Sequence, residues 1–259
     1  MSDFQNTIDL LGDDVVATSI VDRSINTFDD NVIKEVGSSV FCGCTALTSV
    51  DLPLITSIGD YAFNNCNKLT SVNVPLITSV GEYAFEKCSK LTRIDIPLVT
   101  SIGQNAFKNC TALTSINIPL VTRIDSSAFD YCRELTGVNI PLATNIGYRS
   151  FASCSALTGI NIPSVTSIGG SAIYGCSKLT SINIPSVTSI GSDAFAYCDG
   201  LTNIRLPAAP PTLSNVNAFK NVPTTCVFYI PTGSLAAYQS ATNWSSLIAS
   251  GYQLVEEDR

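Results

Sequence analysis

Apolar residues recur along the chain at fixed positions of a 22-residue period. Leucine stands at every twenty-second position from 47 to 201, and proline and cysteine keep the same interval. The nonamer NIPSVTSIG occurs at 161–169 and again at 183–191. Repetition of this kind is typical of a solenoid, in which each coil packs only against its neighbours. Seven full copies of L-T-x-I-x-I-P-x-V-T-x-I-G-x-x-A-F-x-x-C-x-x occupy 47–200, between a degenerate copy and one with two extra residues.

Each repeat predicts two short strands and one turn. Val50 and Leu52 alternate with Asp51, which is the pattern of a strand with one face in the core. The next residue is proline, which ends the strand because it has no amide hydrogen for the ladder. The segment I-T-S-I-G predicts a second strand, and A-F-x-x-C places Phe63 and Cys66 on one side of a helical or 3₁₀ turn. One such coil has too few inward residues to fold alone, but a stack of coils shares a core.

The two ends of the chain predict caps that cover the exposed coils. The first segment has an apolar periodicity that predicts a helix over the first coil. Near the other end, Ser234 is expected to cap a short helix through Tyr238, and Trp244 is expected to cover the last coil. The chain is therefore divided into a helical N-terminal cap at 1–24, a solenoid at 25–224 and a C-terminal cap with a strand and a short helix at 225–259.

The repeat resembles a known family. Its L-x-x-I-x-I-P strand, V-T-x-I-G return and A-F-x-x-C turn look like the BspA-like leucine-rich repeats of bacterial surface proteins, the Treponema pallidum type. The resemblance covers about residues 25–231, and YIPTGSLAAYQSATNW at 229–244 is similar to the closing segment of many members. It implies a leucine-rich repeat solenoid of the α/β horseshoe class, with right-handed coils. It also implies protein binding and adhesion, in some members to extracellular matrix, but it assigns no binding residue.

The opening of the chain bears on where the protein works. MSDFQNTIDLLGDDVV has neither the positively charged n-region nor the apolar h-region of a signal peptide, so no signal peptide is predicted. The stretch MSDFQNTIDLLGDD resembles the start of repeat proteins encoded by phages and prophages of gut bacteria. If the chain is complete, we expect a cytoplasmic or phage-particle protein. If an export segment has been removed, we expect a cell-surface or secreted one.

Charge and composition argue against several classes of partner and against catalysis. A net charge of −7 disfavours nucleic acid and anionic membrane surfaces. The chain has no run of about 18 apolar residues, so no membrane insertion is predicted. It has no histidine, which removes the commonest general base and the usual zinc sites. We therefore predict a protein that is not an enzyme, with no catalytic residue, cofactor or metal.

The ten cysteines predict a ladder of buried free thiols. Equivalent residues on adjacent coils have parallel side-chain directions about 4.8 Å apart. That separation exceeds the usual Cβ spacing of a disulfide, which is about 3.8 Å. Metal binding is the weaker alternative, because one ligand per coil forms a line and not a tetrahedron.

Two polar columns run along the stack. Thr48 and Thr56 begin threonine columns whose hydroxyls we expect to bond neighbouring coils, with an ice-binding array as the weaker alternative. The column of Asp51, Asn73 and Asp95 is expected on the outer, concave side of the main sheet. Its two carboxylates lie two coils apart, about 10 Å, near the upper range for an inverting glycosidase pair. A solvated face is favoured, because a flat ladder offers no cleft that excludes water.

The candidate contact surface is the turn rim, defined as the two positions after the repeat's glycine and the two between its phenylalanine and cysteine. These positions vary between copies, and six of the nine tyrosines occupy them. Tyrosine and arginine are favoured anchors at interfaces. The alternative is that these tyrosines only cover the edge of the core. The candidate partner-binding residues are Tyr61, Tyr83, Tyr131, Tyr148, Arg149, Tyr174 and Tyr197.

The sequence thus predicts a binding module for a protein or glycan ligand, active in recognition or adhesion at a bacterial or host surface. The alternative is a structural component of a phage tail or fibre, or another assembly scaffold. The oligomeric state is left open at this stage.

Overall fold

The structure is a computed structural model that describes residues 8–10, 16–20 and 26–258. Each 22-residue repeat forms one coil of a solenoid, and we number the coils 1 (26–46), 2 to 8 (47–200) and 9 (201–224). Each coil contributes a three-residue strand and then a two-residue strand, because the repeat's proline separates them. The three-residue strands are Thr27–Asp29 (β3), Ser49–Asp51 (β5), Ser71–Asn73 (β7), Arg93–Asp95 (β9), Ser115–Asn117 (β11), Gly137–Asn139 (β13), Gly159–Asn161 (β15), Ser181–Asn183 (β17) and Asn203–Arg205 (β19). The two-residue strands are Glu35–Val36 (β4), Ser57–Ile58 (β6), Ser79–Val80 (β8), Ser101–Ile102 (β10), Arg123–Ile124 (β12), Asn145–Ile146 (β14), Ser167–Ile168 (β16), Ser189–Ile190 (β18) and Thr212–Leu213 (β20).

The two kinds of strand build two different sides of the solenoid. The two-residue strands pair in parallel, residue n with residue n + 22 through coil 8, as Ser101 does with Ser79 and Arg123. They form one continuous sheet of eleven strands together with Ile8–Leu10 (β1) and Val16–Ile20 (β2). The three-residue strands fall into four separate hydrogen-bonded groups, which are β3-β5-β7, β9-β11, β13-β15 and β17-β19. The last group continues into Val227–Pro231 and Gln253–Glu257 of the C-terminal segment.

The core is a stack of identical slots. Val50, Leu52 and Ile58 are at most 2% exposed, as the alternation predicts. The phenylalanine rings of consecutive coils stack nearly parallel from Phe41 to Phe151, with centroids 4.9–5.3 Å apart. Identical rings are stable in this column because each ring packs directly against the rings of the coils before and after it and leaves no cavity.

The predicted helical or 3₁₀ turn is wrong for coils 2 to 8, where the A-F-x-x-C segment forms successive β-turns. Tyr61 and Asn65 have φ of 57° and 62°, which a right-handed helix does not allow. The amides of Tyr61, Phe63 and Asn65 donate to carbonyls of the next coil, and not back along a helix. Only coil 9 has a 3₁₀ turn, at Val216–Phe219. The demand for hydrogen bonds between coils therefore overrides the local spacing.

The glycine before the turn approaches the backbone of the previous coil closely in six of coils 2 to 8, whereas coil 5 has Asp125 in its place. A Cβ at Gly81 would lie 2.6 Å from the carbonyl carbon of Gly59 in the coil before it. A side chain at Gly81 would therefore force the two backbones apart.

The predicted helical N-terminal cap is wrong for the segments that the structure describes. β1 and β2 pair antiparallel, and β2 continues the two-residue sheet by pairing in parallel with β4. The open edge of β4 offers unpaired backbone groups, which a strand satisfies and a helix does not. The remaining residues before Asn26 lie outside the described part of the chain.

The C-terminal segment closes the other end with Val227–Pro231 (β21), Leu235–Ser240 (α1), Trp244–Ala249 (α2) and Gln253–Glu257 (β22). Trp244 is fully buried and contacts the rings of Phe219, Phe228 and Tyr238. The capping role predicted for Ser234 is corrected: the residue precedes α1, but its side chain makes no capping hydrogen bond. Its backbone is already helical, so the Leu235 amide instead donates to Oε1 of Glu256 at 2.9 Å.

Candidate functional site

The backbone restricts which residues the turn rim can carry. In coils 2 to 8 the second residue after the glycine position (held by Asp125 in coil 5) has positive φ. The second residue after the phenylalanine position (held by Ile173 in coil 7) has positive φ as well. β-Branched residues are strongly disfavoured in this conformation, and none occupies any of these fourteen positions. Four candidate tyrosines and the candidate arginine hold such positions: Tyr61, Tyr83, Tyr131, Tyr197 and Arg149.

The first cluster on the turn rim is a stacked tyrosine pair. The rings of Tyr61 and Tyr83 are nearly parallel, with an angle of 4° and centroids 4.7 Å apart. Tyr61 is 41% exposed, so the pair presents aromatic surface to solvent. Partial desolvation, together with Tyr83 and the carboxylates of Glu82, Glu86 and Asp60, raises the pKa of Tyr61. The raised pKa keeps the Tyr61 hydroxyl neutral, and the pair forms an aromatic platform in acidic surroundings.

The second cluster is built around a buried carboxylate. The Asp130 side chain is 2% exposed and lies between Arg149, at 3.2 Å, and Lys108, at 3.8 Å. Burial raises the pKa of Asp130, and the two cations offset part of that rise. Arg149 is held in this ion pair, so its role is more structural than the sequence indicated. Tyr148 beside it is 55% exposed.

The remaining tyrosines lie against cations or against each other. The guanidinium carbon of Arg133 is 5.4 Å from the ring centre of Tyr131. Tyr174 and Tyr197 are 5.1 Å apart with an angle of 54°, and the Lys220 ammonium lies 5.7 Å from the Tyr197 ring. The structure thus brings the candidates together in pairs and small clusters along the turn rim.

The polar columns are engaged in bonds between coils. Six threonines at the second repeat position donate their hydroxyl to the previous coil, as Thr70 does to the carbonyl oxygen of Thr48 at 2.9 Å. Asn73 Nδ2 donates to Asp51 Oδ1 at 2.7 Å, and the same bond recurs between coils 4 and 5. The carboxylates of Asp51 and Asp95 are exposed and each accepts from a neighbouring asparagine. This is the solvated face that the sequence favoured.

The sequence missed a groove on this face, which we call the glycine groove. It is a depression of about 570 Å³ between coils 5 and 9, with Gly137, Gly159, Asn161 and Arg205 in its lining. A Cβ at Gly159 would meet no atom within 4 Å, so stacking does not require this glycine. Glycine in a strand often marks a close approach of a ligand or of another backbone. The signal was present as two glycines in a column that is otherwise mostly serine.

No metal-binding arrangement or membrane span is found in the described part of the chain. Among residues 26–258 no three histidine, cysteine or acidic side chains are grouped so that they could hold an ion. None of the described helices has the length and apolar character needed to cross a bilayer.

Comparison with known proteins gives a consistent picture. The model of the BspA type leucine-rich repeat region matches in six copies, over residues 24–136 and 122–242. A leucine-rich repeat protein from Bacteroides ovatus is similar in structure, with 27% identity and a TM-score of 0.70, over 91% of this chain and 58% of that one. The chain therefore spans less than two thirds of that protein's length. The T. pallidum leucine-rich repeat protein gives 27% identity and a TM-score of 0.62, over 67% of this chain and 88% of that one. A comparison with curated protein sequences gave no match.

Proposed function

Since the chain belongs to the BspA-type leucine-rich repeat family, we propose that it is a non-catalytic module that binds a protein partner through the turn rim. The observation that carries the proposal is the exposed stack of Tyr61 on Tyr83. Recognition or adhesion at a bacterial or host surface is the setting that the family suggests.

The chemistry of the tyrosine pair specifies the partner further. The carboxylates of Asp60, Glu82 and Glu86 lie near enough to Tyr61 to raise its pKa, and the whole chain carries a net charge of −7. The face of an aromatic ring attracts arginine and lysine side chains, and nearby carboxylates strengthen that attraction. We therefore expect a protein whose contact surface is basic, with an arginine or lysine over the Tyr61 ring.

The glycine groove is the competing site for the same function. It carries Asn139, Asn161 and Asn183 along one side and the cation Arg205 at one end. Asn161 Nδ2 already donates to Asn139 Oδ1 at 2.7 Å, which uses part of the polar capacity of this side. No aromatic residue lines the groove, so it offers less area for a tight contact than the tyrosine pair.

The first experiment identifies the partner. The immobilised protein and a Tyr61→Ala, Tyr83→Ala variant are exposed to the same extract of bacterial and host surface proteins, and the bound proteins are quantified by mass spectrometry. We expect at least one basic protein that the wild-type chain retains and the variant loses. If every retained protein is equally retained by the variant, the tyrosine pair is not the site.

The second experiment ranks the two surfaces by calorimetry with the protein so identified. The Tyr61→Ala, Tyr83→Ala variant is expected to weaken binding by more than about 1 kcal/mol, because each ring loses its desolvated contact. The matched control is Asn139→Ala, Asn161→Ala in the glycine groove, which should weaken it less. The reverse ranking moves the site to the groove. Circular dichroism checks that both variants keep the fold, since none of the four residues lies in the core.

The alternative function, a structural part of a phage tail or other assembly, stays a prediction. Neighbouring tail genes would favour it, and an export signal upstream would favour surface adhesion.

A further inference from the structure

A column of exposed apolar side chains runs along one edge of the solenoid, at the position that follows the repeat's proline. We call it the leucine edge. Its six members come from six consecutive coils, and they are 40–62% exposed. They are Val32, Leu54, Leu76, Leu98, Leu120 and Leu142. The exposed fractions of the six side chains add up to nearly three fully exposed apolar side chains. The six lie in one contiguous line.

Stacking of the coils does not require leucine at this position. Coils 4 and 5 read P-L-V-T, whereas coils 7 and 8 read P-S-V-T with Ser164 and Ser186 in the same place. The neighbouring inward residues Val99 and Val165 are fully buried in both cases. The chain therefore builds the same coil with serine, which would leave less apolar surface in water. A line of leucines over six coils calls for another explanation, and such patches mark interaction sites.

From coil 2 onward the edge is also free of charge, whereas coil 1 carries the exposed Lys34 two positions after Val32. The four positions from proline to threonine contain no charged residue in any of coils 2 to 8. On a chain with a net charge of −7, this edge is a place where a second copy can make contact without facing like charges directly.

We propose that the leucine edge is the contact between two copies of this chain in an antiparallel, two-fold dimer. The argument for a second copy is the spacing, because the leucines recur once per coil and only another solenoid of the same coil height matches that period along the whole line. In a two-fold dimer the same surface of both copies forms the interface, and each contact occurs twice. One apolar line can therefore pack against its own copy.

Charge complementarity sets the register. Glu35 and Arg123 each open a two-residue strand next to the edge, in coils 1 and 5. Glu35 is exposed, and the Arg123 side chain is 68% exposed although it pairs with Asp125 of its own chain. An axis at Leu76 places coil 1 of one copy opposite coil 5 of the other. Glu35 of each copy then faces Arg123 of the other copy, so the guanidinium that holds Asp125 through Nε also meets Glu35 across the flank of the interface.

The size of the edge predicts a weak dimer. An apolar line of a few hundred Å² is smaller than the roughly 800 Å² per partner of a standard interface. The flanking proline and threonine columns add the remaining contact. We therefore expect a dimer that forms in the micromolar range of protein concentration and is strengthened by sulfate, as apolar contacts are.

The test is the oligomeric state of the full chain, measured by sedimentation velocity over a range of micromolar concentrations. The wild-type chain should show a reversible monomer–dimer equilibrium. Leu76→Ser, Leu98→Ser copies the serines of coils 7 and 8, so the fold is kept, and it should weaken dimerisation by at least about tenfold. Tyr61→Ala, Tyr83→Ala is the matched control and should dimerise like the wild type. A wild-type monomer at all concentrations, or a dimer that survives the serine variant, would overturn the proposal.

Cross-linking tests the register separately. Under mild oxidation a Leu76→Cys variant should form covalent dimers, because the two introduced thiols meet at the axis. Leu142→Cys, three coils away, should form few more than the wild type. Equal cross-linking of the two variants would overturn the antiparallel arrangement centred on Leu76. Neither result bears on the partner proposed for the turn rim.

Discussion

The thiol of Cys132 donates a hydrogen bond to the carbonyl oxygen of Phe107, 25 residues earlier, with Sγ and O 3.1 Å apart. The cysteines from 66 to 198 all make the equivalent bond, at 3.0–3.2 Å. The column is thus a ladder of donors that satisfies one carbonyl of each phenylalanine turn. Burial raises the pKa of the thiols from Cys88 to Cys198, in Cys198 to about 12, so the reactive thiolate is suppressed.

The first prediction concerns the chemical state of these thiols. Titration of the freshly purified, denatured protein should find ten free groups, in agreement with the ten free cysteines of the structure. In the folded protein we expect only Cys42 to react quickly, since the other nine are buried. A count near zero after denaturation would mean that the ladder forms disulfides and that the stacking argument is wrong.

The second prediction concerns the one break in the phenylalanine ladder among coils 2 to 8. Ile173 is fully buried between the coils of Phe151 and Phe195. Substitution Ile173→Phe should be neutral or stabilising, because a ring can complete the stack. Phe107→Ala should lower the free energy of unfolding by about 3–5 kcal/mol through the cavity that it leaves. Urea melts measure both changes. Equal stability of both variants and the wild type would contradict the packing of this column.

The third prediction concerns the buried ion pair. Arg149→Ala leaves the Asp130 carboxylate with only Lys108 beside it, so at neutral pH it should lower the free energy of unfolding by about 1.5–3 kcal/mol. In an Asp130→Asn background the same substitution should cost little, because no buried charge then needs compensation. A double-mutant cycle in urea measures the difference. Equal costs in the two backgrounds would show that Arg149 acts through packing alone.

The pH dependence of this ion pair has a definite sign. The folded state holds Asp130 at a raised pKa, so it takes up a proton before the unfolded state does as the pH falls. Asp130 therefore makes the fold more stable on acidification, from its raised pKa down toward the ordinary value of 3.8. The cost of Arg149→Ala should shrink over the same window. A cost that grows on acidification would contradict the raised pKa.

The fourth prediction concerns the C-terminal cap. Removal of 232–259 takes away Trp244 and β22, which uncovers the rings of Phe219 and Phe228 and the edge of β21. The shortened chain should aggregate, because an apolar cross-section and an open strand edge both invite association. Light scattering during a concentration series measures this. A well-behaved shortened monomer would refute the capping role.

Several features could be predicted from the sequence because they repeat. The 22-residue period determined the coil, and the alternation of Val50 with Asp51 determined which side of the strand is buried. Each coil packs between two coils of the same shape, so the same residue type is favoured at each inward position. The buried columns of leucine, phenylalanine and cysteine therefore recur in the sequence at the 22-residue period. The family followed from the same columns.

Other features depend on contacts between coils, which no single repeat contains. The local spacing of Phe63 and Cys66 indicated a helical turn, yet hydrogen bonds to the next coil hold Tyr61 and Asn65 at positive φ. Likewise the apolar period of the first residues indicated a helix, whereas β2 pairs with the edge of β4 where the structure describes it.

The candidate surfaces divide in the same way. The sequence located the variable rim, but only the tertiary structure showed that Tyr61 stacks on Tyr83 while Arg149 is engaged by Asp130. The leucine edge and the glycine groove were hidden because their residues look ordinary in one repeat. They become surfaces only when successive coils place them in line, since exposure is a property of the stack and not of the segment.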